Sequence, residues 1–251
     1  MANEQGNTTD DQIATGSPFT RPGFLISAVL VVVIVVLGVV VAVRVAGDNS
    51  STTPPPASTS PAASASSTSA GPDASVCGLP AGTETGPLTS PPAVTWDYQG
   101  TIAYPKSPEF GAGKTATEGY RYCFQHSAAG AVVMAANALA QGSDPQMGES
   151  WAEYVLGTGR YRDQLADEIG AATGAEGSRL KVAGFRVLSY DGATARVDLG
   201  VQGSSQNQTL TVSGVYELVW QNGDWKISAD VEHPLDISTI PDLTGYVPWG
   251  E

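Results

Sequence analysis

A run of 20 residues without a charged side chain, residues 24–43, constrains this chain more than any other feature, and ten of the 20 are valine. As an α-helix the run would be about 30 Å long, which is the thickness of the hydrocarbon layer of a bilayer. A helix without a polar face must be buried on all sides, and the polar, proline-rich sequence that follows offers nothing to bury it. The run therefore predicts a transmembrane helix over residues 24–46, after a short cytoplasmic tail of residues 1–23.

The orientation of this span follows from the sequence after it. Arg21 and Arg44 flank the span, one at each end, so the positive-inside rule does not decide. Residues 50–70 are almost wholly Ser, Thr, Ala and Pro, the composition of a solvated spacer. Together with two cysteines placed after the span, this composition predicts an extracytoplasmic carboxy-terminal part. A cleaved signal peptide is the alternative, although the run is longer than the apolar part of such a peptide and no clear cleavage site follows.

Residues 47–95 form a Ser/Thr/Pro/Ala-rich segment that predicts a disordered spacer. Repeated prolines and small polar side chains cannot bury enough apolar surface to offset the entropy lost on folding. As a flexible chain, about 48 residues reach roughly 40 Å, and more where proline stiffens them. The segment would therefore hold a folded domain away from the membrane.

Residues 96–251 are long enough to bury the core of one domain. Helices are expected over residues 128–141, 150–156 and 161–172, and the first of these is nearly uncharged and therefore predicted to be buried. Strands are expected over residues 180–190, 195–201, 209–220 and 225–230, where apolar and polar residues alternate. Turn sequences, Asp191–Gly192 and Asn222–Gly223, connect them. This order predicts an α+β fold in which helices pack on one face of a bent antiparallel sheet.

The last predicted hairpin, Trp220–Lys226, has the pattern W-x-x-G-x-W-K, and over roughly residues 123–230 the order of elements resembles the NTF2-like (cystatin-like) superfamily. The run Phe124–Val132, continued by Ala135–Asn137, is similar to uncharacterised membrane-anchored proteins of high-GC Gram-positive bacteria. The fold resemblance extends to the outer domains of type IV secretion and conjugation channels. It implies an envelope protein whose extracytoplasmic domain is a protein-interaction or assembly module, accessory to conjugation or secretion.

Composition and motifs argue against several kinds of chemistry. A formal net charge of −13 does not suit a nucleic-acid binder, which needs a basic surface. Residues 110–115, FGAGKT, end like a phosphate-binding loop but lack its first glycine and the strand that precedes it. His126 and His233 are the only histidines and have no further metal ligands at a suitable spacing, and no Gly-x-Ser-x-Gly motif occurs. We therefore expect no cofactor, no metal and no enzymatic activity.

Four residues are candidates for lining a pocket or for packing: His126, Tyr216, Trp220 and Trp225. An NTF2-like cone encloses a pocket, so the alternatives to an interaction module are a domain that binds a small apolar ligand and an isomerase-like enzyme. In such an enzyme Tyr216 and Asp198 would be the acid–base candidates. However, Tyr216 shares the apolar face of its strand, and Asp198 falls on the polar face of its own, which points it away from the interior.

Two further features concern the ends of the domain. Cys77 and Cys123 are 46 positions apart, and a disulfide between them would join the end of the spacer to the domain, with two free thiols as the alternative. Residues 233–251 carry three prolines and several large apolar side chains, enough to pack on the domain, although docking on another subunit is the second interpretation. The partners expected are the lipid bilayer and one or more envelope proteins.

Overall fold

The computed structural model describes residues 74–83, 86, 88–171, 179–205 and 208–251. The predicted cytoplasmic tail, the predicted transmembrane helix and the predicted spacer up to residue 73 lie outside these residues. No helix in the described ranges has both the length and the apolar character needed to cross a membrane.

Along the described residues four strands are followed by three helices and six further strands, which confirms the α+β class. The strands are β1 (Thr95–Gln99), β2 (Ile102–Lys106), β3 (Lys114–Thr115), β4 (Arg121–Tyr122), β5 (Arg179–Tyr190), β6 (Thr194–Ser205), β7 (Gln208–Gln221), β8 (Asp224–Ile227), β9 (Leu235–Thr239) and β10 (Val247–Pro248). The helices are α1 (Ala128–Gly142), α2 (Gly148–Val155) and α3 (Arg162–Gly170).

The main sheet has the strand order β1-β2-β5-β6-β7-β8 and curls into a half-barrel. Strand β9 pairs with β7 and β10 pairs with β5, while β3 and β4 form a separate two-stranded sheet. Two register shifts interrupt the pairing of β5 with β6, between Val182 and Gly184 and between Val187 and Ser189. Because bulges bend a strand and increase its twist, they account for part of the curl.

Helix α1 lies against one face of the sheet, over β2, β5 and β6, and is buried at every residue from Ala128 to Gln141. The hydroxyl of Ser127 accepts a hydrogen bond from the N–H of Gly130 at 2.9 Å and so caps its first turn. A Cβ atom at Gly130 would overlap the carbonyl oxygen of Gln125, so this turn needs glycine. The absence of charge that predicted a buried helix is explained by this position.

The hairpin of β1 and β2 was not predicted from the sequence. Its five residue pairs run from Thr95↔Lys106 to Gln99↔Ile102, and β2 then pairs in parallel with β5. Both strands are only five residues long and Pro105 interrupts the second, so their local signal is weak. Packing against α1 and pairing with β5 stabilise the hairpin instead.

The face of the sheet opposite α1 also differs from expectation. Asp198 lies on this face, as predicted, but it is 0 % exposed because residues 240–251 cross above it. Its carboxylate accepts hydrogen bonds from Ser213 Oγ at 2.7 Å, Tyr246 Oη at 2.8 Å and Arg186 Nε at 3.0 Å. The prediction that Asp198 points away from any interior was therefore wrong: a distant carboxy-terminal segment forms a second, smaller core with it. The carboxy-terminal residues accordingly pack on the domain.

Candidate functional site

The candidate site surrounds the turn between β7 and β8. Asn222 and Gly223 both have positive φ angles, 54° and 75°, as the expected two-residue hairpin turn requires. The turn places Trp220 directly opposite Trp225 on the face of the sheet that α1 covers. Three separate parts of the chain converge on this hairpin: residues 74–83, the segment that precedes α1, and α2.

An aromatic cluster forms the inner side of the site. The ring of His126 stacks on Trp220 with centroids 4.0 Å apart and planes 2° from parallel. Trp225 meets both rings edge-on, at 5.9 Å from His126 and 5.4 Å from Trp220. Its indole N–H donates to the carbonyl of Gln125 at 3.0 Å, and His126 Nε2 lies 2.6 Å from the carbonyl oxygen of Gly192. The rings therefore pack on one another and are fixed by backbone carbonyls.

Three of the four candidate pocket residues are thus brought together, and the fourth lies apart. Tyr216 is on the same face of β7 but four residues before Trp220, where it is 4 % exposed and opposite Val197 and Leu235 in the neighbouring strands. Burial raises the pKa of Tyr216, since desolvation disfavours the phenolate. Asp198 is on the other face of the sheet, so the two acid–base candidates do not share a site.

A disulfide forms the outer side of the site. Cys77 and Cys123 are bonded, with Cα atoms 6.0 Å apart, which confirms the predicted pair. Residues 74–83, here called the strap, are held on the domain by further hydrogen bonds. The N–H of Val76 donates to the carbonyl of Gly223 at 2.7 Å, and the N–H of Gly82 donates to that of His126 at 2.9 Å. The strap belonged to the predicted spacer, and the structure places it against the domain.

Asp224 connects the disulfide to the hairpin and was missed by the sequence analysis. Its buried carboxylate accepts hydrogen bonds from the N–H groups of Cys123 and Phe124, both at 2.8 Å. It also accepts from the N–H of Trp225 at 3.0 Å and from the hydroxyl of Tyr154 at 2.7 Å. Burial raises the pKa of Asp224, and these hydrogen bonds oppose the rise because they favour the charged form. One carboxylate thus satisfies two backbone groups at the disulfide.

Lys226 is also buried here, although its strand pattern predicted a polar, outward position. Its Nζ donates to the backbone carbonyl of Tyr154 at 2.8 Å and lies 3.1 Å from the centroid of the Tyr154 aromatic ring. The Tyr154 ring is in turn 5.0 Å from Tyr120 and 5.2 Å from Tyr122. Burial lowers the pKa of Lys226 to about 8, and the carboxylate of Asp224 opposes this change. The burial results from α2, whose Tyr154 covers the ammonium group of Lys226.

The polar groups of the site are engaged with one another and with the backbone. Within the described ranges, every buried side-chain nitrogen or oxygen has a hydrogen-bond partner, and no three His, Cys, Asp or Glu side chains are grouped as metal ligands. A carboxylate, an ammonium group and a disulfide arranged in this way hold segments of chain together. The site is suited to fixing the strap, α2 and the hairpin in one arrangement.

Comparisons with known proteins give one family. The model of a domain of unknown function, DUF8175, matches residues 56–248, which include the strap, the disulfide and the whole sheet up to β10. No curated protein and no solved structure matches the chain. Since the matched residues are more than half of the chain, this protein belongs to the DUF8175 family.

Proposed function

We propose that this protein is a single-pass membrane protein whose extracytoplasmic domain is a protein-interaction or assembly module of the cell envelope, accessory to a conjugation or secretion apparatus. We further propose that its fold is an NTF2-like cone, in which α1 fills the concave side of the curled sheet. The disulfide between Cys77 and Cys123 is the observation that carries the proposal.

The disulfide supports an extracytoplasmic location. Structural disulfides persist in oxidising compartments and are rare in the cytosol. Cys123 is 0 % exposed, and the segment that carries it is fixed by the buried carboxylate of Asp224. The bond is therefore buried on its Cys123 side, as expected of a structural pair, while Cys77 is half-buried.

The strap supports a tethering role. The spacer joins the domain at the strap, and Val76 and Cys77 attach the strap beside the β7–β8 turn. Residues 47–73, between the predicted span and the strap, would reach roughly 30 Å as a flexible chain. A domain held at this distance, with one fixed attachment point, presents the rest of its surface to other envelope proteins.

The packing of the aromatic cluster favours an interaction module over the two alternatives. A pocket for a small apolar ligand would have to open between His126, Trp220 and Trp225, which contact one another. An isomerase-like enzyme would need Tyr216 and Asp198 at one site, and they lie on opposite faces of the sheet. Both alternatives are outcomes of the experiments that follow.

The topology is tested with the full chain carrying a carboxy-terminal tag. Protease added to intact protoplasts should digest the tag, while a cytoplasmic marker protein is spared. A variant without residues 24–46 is the matched control, because its tag should be protected with the marker. A full-length chain whose tag survives as well as the marker would contradict the extracytoplasmic location.

The interaction role is tested by crosslinking in intact cells, followed by purification through the same tag. We expect crosslinks from the domain to components of a conjugation or secretion apparatus, absent from the variant without residues 24–46. A domain that purifies with a stoichiometric apolar molecule and forms no crosslink to protein would favour the ligand-binding alternative. Turnover of a substrate by the purified protein would favour the enzyme.

A further inference from the structure

The two halves of the disulfide are held in different ways, and Cys123 is held by the domain. It lies between β4 and α1 and is 0 % exposed. Its N–H donates to the carboxylate of Asp224, and its carbonyl accepts from the N–H of Gly113, each at 2.8 Å. Both partners lie outside the strap. The position of Cys123 is therefore set by β8 and by the segment that leads into β3, whether or not the strap is docked.

Cys77 is carried by the strap, which has little buried surface of its own. Cys77 is half-buried, and its neighbour Val76 is 54 % exposed. Among residues 74–83, all of which the structure describes, Ser75 is the single buried residue. A segment with so little buried surface does not offset the entropy lost when it is ordered. Without the bond the strap can therefore leave the domain, and Cys77 leaves with it.

Ser75 guides the strap to its place on the domain. Its hydroxyl oxygen accepts a hydrogen bond from the N–H of Leu79 at 2.7 Å and lies 3.3 Å from the sulfur of Cys123. Because a disulfide sulfur carries no hydrogen, the hydroxyl is the donor to this sulfur. The contact aligns the strap so that Cys77, two positions further along, meets Cys123.

The two sulfur atoms differ in what can reach them. With the strap docked, Cys123 has no exposed surface, so its sulfur can be approached only through the space that Ser75 and Cys77 leave when the strap lifts. Gly113 borders this space, since a Cβ atom there would lie 2.8 Å from the sulfur of Cys77. A space left by two small side chains does not admit the reactive surface of a folded enzyme. Cys77 on a lifted strap has no such restriction.

We propose that an exported dithiol oxidoreductase forms the disulfide of this protein through Cys77, and that the strap closes last, on a domain that is already folded. Bacteria keep an exported compartment oxidising through enzymes of this class rather than through a thiol buffer. This inference rests on the proposed function in one respect, because only an extracytoplasmic domain meets such an enzyme.

The bond forms in two exchange steps. The thiolate of Cys77 attacks one sulfur of the enzyme's disulfide, which breaks, and the other enzyme sulfur leaves as a thiolate. The thiolate of Cys123 then attacks the sulfur of Cys77, and the first enzyme sulfur leaves as a thiolate in turn. The two cysteines lose two electrons and two protons in total, and the enzyme's disulfide is reduced to a dithiol.

Two full-length variants, each with one thiol, test the point of attack. Cys123→Ser keeps Cys77, and Cys77→Ser keeps Cys123 under a strap of nearly unchanged shape. Each is purified in detergent, reduced, freed of reductant and incubated with glutathione disulfide, and the mixed disulfide is measured by intact mass. We expect Cys77 to react at least about tenfold faster than Cys123 under native conditions. Equal rates, or faster reaction of Cys123, would overturn the assignment.

The same reaction in urea is the matched control for the role of the fold. Once both variants are unfolded, the two thiols should react at similar rates, and a difference that persists would mean that the fold is not its cause. Near-ultraviolet circular dichroism tests the order of closure. The reduced wild type and both variants should keep the spectrum of the oxidised protein, and a loss of that spectrum would refute closure on a folded domain.

The enzyme's part is tested with a purified exported bacterial dithiol oxidoreductase in its disulfide form, against glutathione disulfide at the same concentration. The reduced wild type should form its bond at least about tenfold faster with the enzyme. On non-reducing gels Cys123→Ser should form a mixed disulfide with the enzyme, and Cys77→Ser should form none. Equal rates with the two oxidants, or an enzyme adduct on Cys77→Ser, would contradict the proposal. Because the proteins are purified, these results are independent of the protoplast experiment.

Discussion

Replacing Cys77 and Cys123 together by serine tests how the strap is held. The bond joins positions separated by 46 residues, and closing a loop of this size stabilises a protein by about 4 kcal/mol in the chain-entropy model. The double substitution also avoids a single thiol left in the buried position of Cys123. We therefore expect the free energy of unfolding to fall by about 4 kcal/mol relative to the oxidised wild type.

The measurement is urea unfolding followed by tryptophan fluorescence, with the reduced wild type as the matched control because it keeps both sulfur atoms. Hydrogen exchange then locates the effect. The amides of Val76 and Gly82, which bond to Gly223 and His126, should exchange faster than in the oxidised protein. The exchange rates of the α1 amides should rise only by the amount that the lower free energy of global unfolding accounts for.

Two results would refute this reasoning. The first is a loss of less than about 1 kcal/mol on both reduction and substitution, well below the loop-closure value. The second is unchanged protection of the Val76 amide after the bond is removed. Either would mean that the remaining hydrogen bonds hold the strap without the disulfide.

Three further predictions concern buried groups. The pKa of Lys226 is about 8 in the folded protein and 10.5 for a free side chain. Between these pH values the unfolded state binds more protons than the folded state, so the protein becomes more stable as the pH rises from 8 to 10.5. The gain in the free energy of unfolding from Lys226 is about 3 kcal/mol. The wild type should gain stability over Lys226→Met in this range, and parallel pH profiles would contradict it. Gly130→Ala should lower the free energy of unfolding by at least about 2 kcal/mol, because the added Cβ atom overpacks the turn. Gly170→Ala is the control and should leave the free energy of unfolding unchanged, since the space around Gly170 is open. Equal urea midpoints for the two variants would contradict the prediction. Asp198→Ala should lower the free energy of unfolding by about 2 to 3 kcal/mol. This is less than the usual loss for a broken buried ion pair, because the Arg186 side chain is 40 % exposed and can be solvated by water. An unchanged thermal midpoint would contradict the prediction.

Local patterns in the sequence predicted the α+β class, the three helices and the four consecutive strands β5 to β8. Alternation placed Val197 and Tyr216 on one face, and Asn222–Gly223 has the two positive φ angles that its turn needs. The same patterns did not predict the β1–β2 hairpin, whose five-residue strands depend on partners far along the chain. The NTF2-like arrangement and the envelope role stay predictions, because the comparisons give only a family of unknown function.

Burial of polar residues depended on tertiary structure. Lys226 and Asp198 occupy positions that alternation assigns to solvent, and both are buried because a second layer of chain covers them. For Lys226 that layer is α2 with Tyr154, and for Asp198 it is the carboxy-terminal segment around Tyr246.

The sequence by itself determined which side chains share a face and where the chain turns, since these depend on the period of a strand or helix and on a few neighbouring residues. The tertiary structure alone decided which faces are covered. It placed the strap and Asp224 beside Cys123, and the carboxy-terminal segment over the row of Gly184 and Gly200. Such contacts join residues far apart along the chain, 101 positions in the case of Cys123 and Asp224, and no local pattern encodes them.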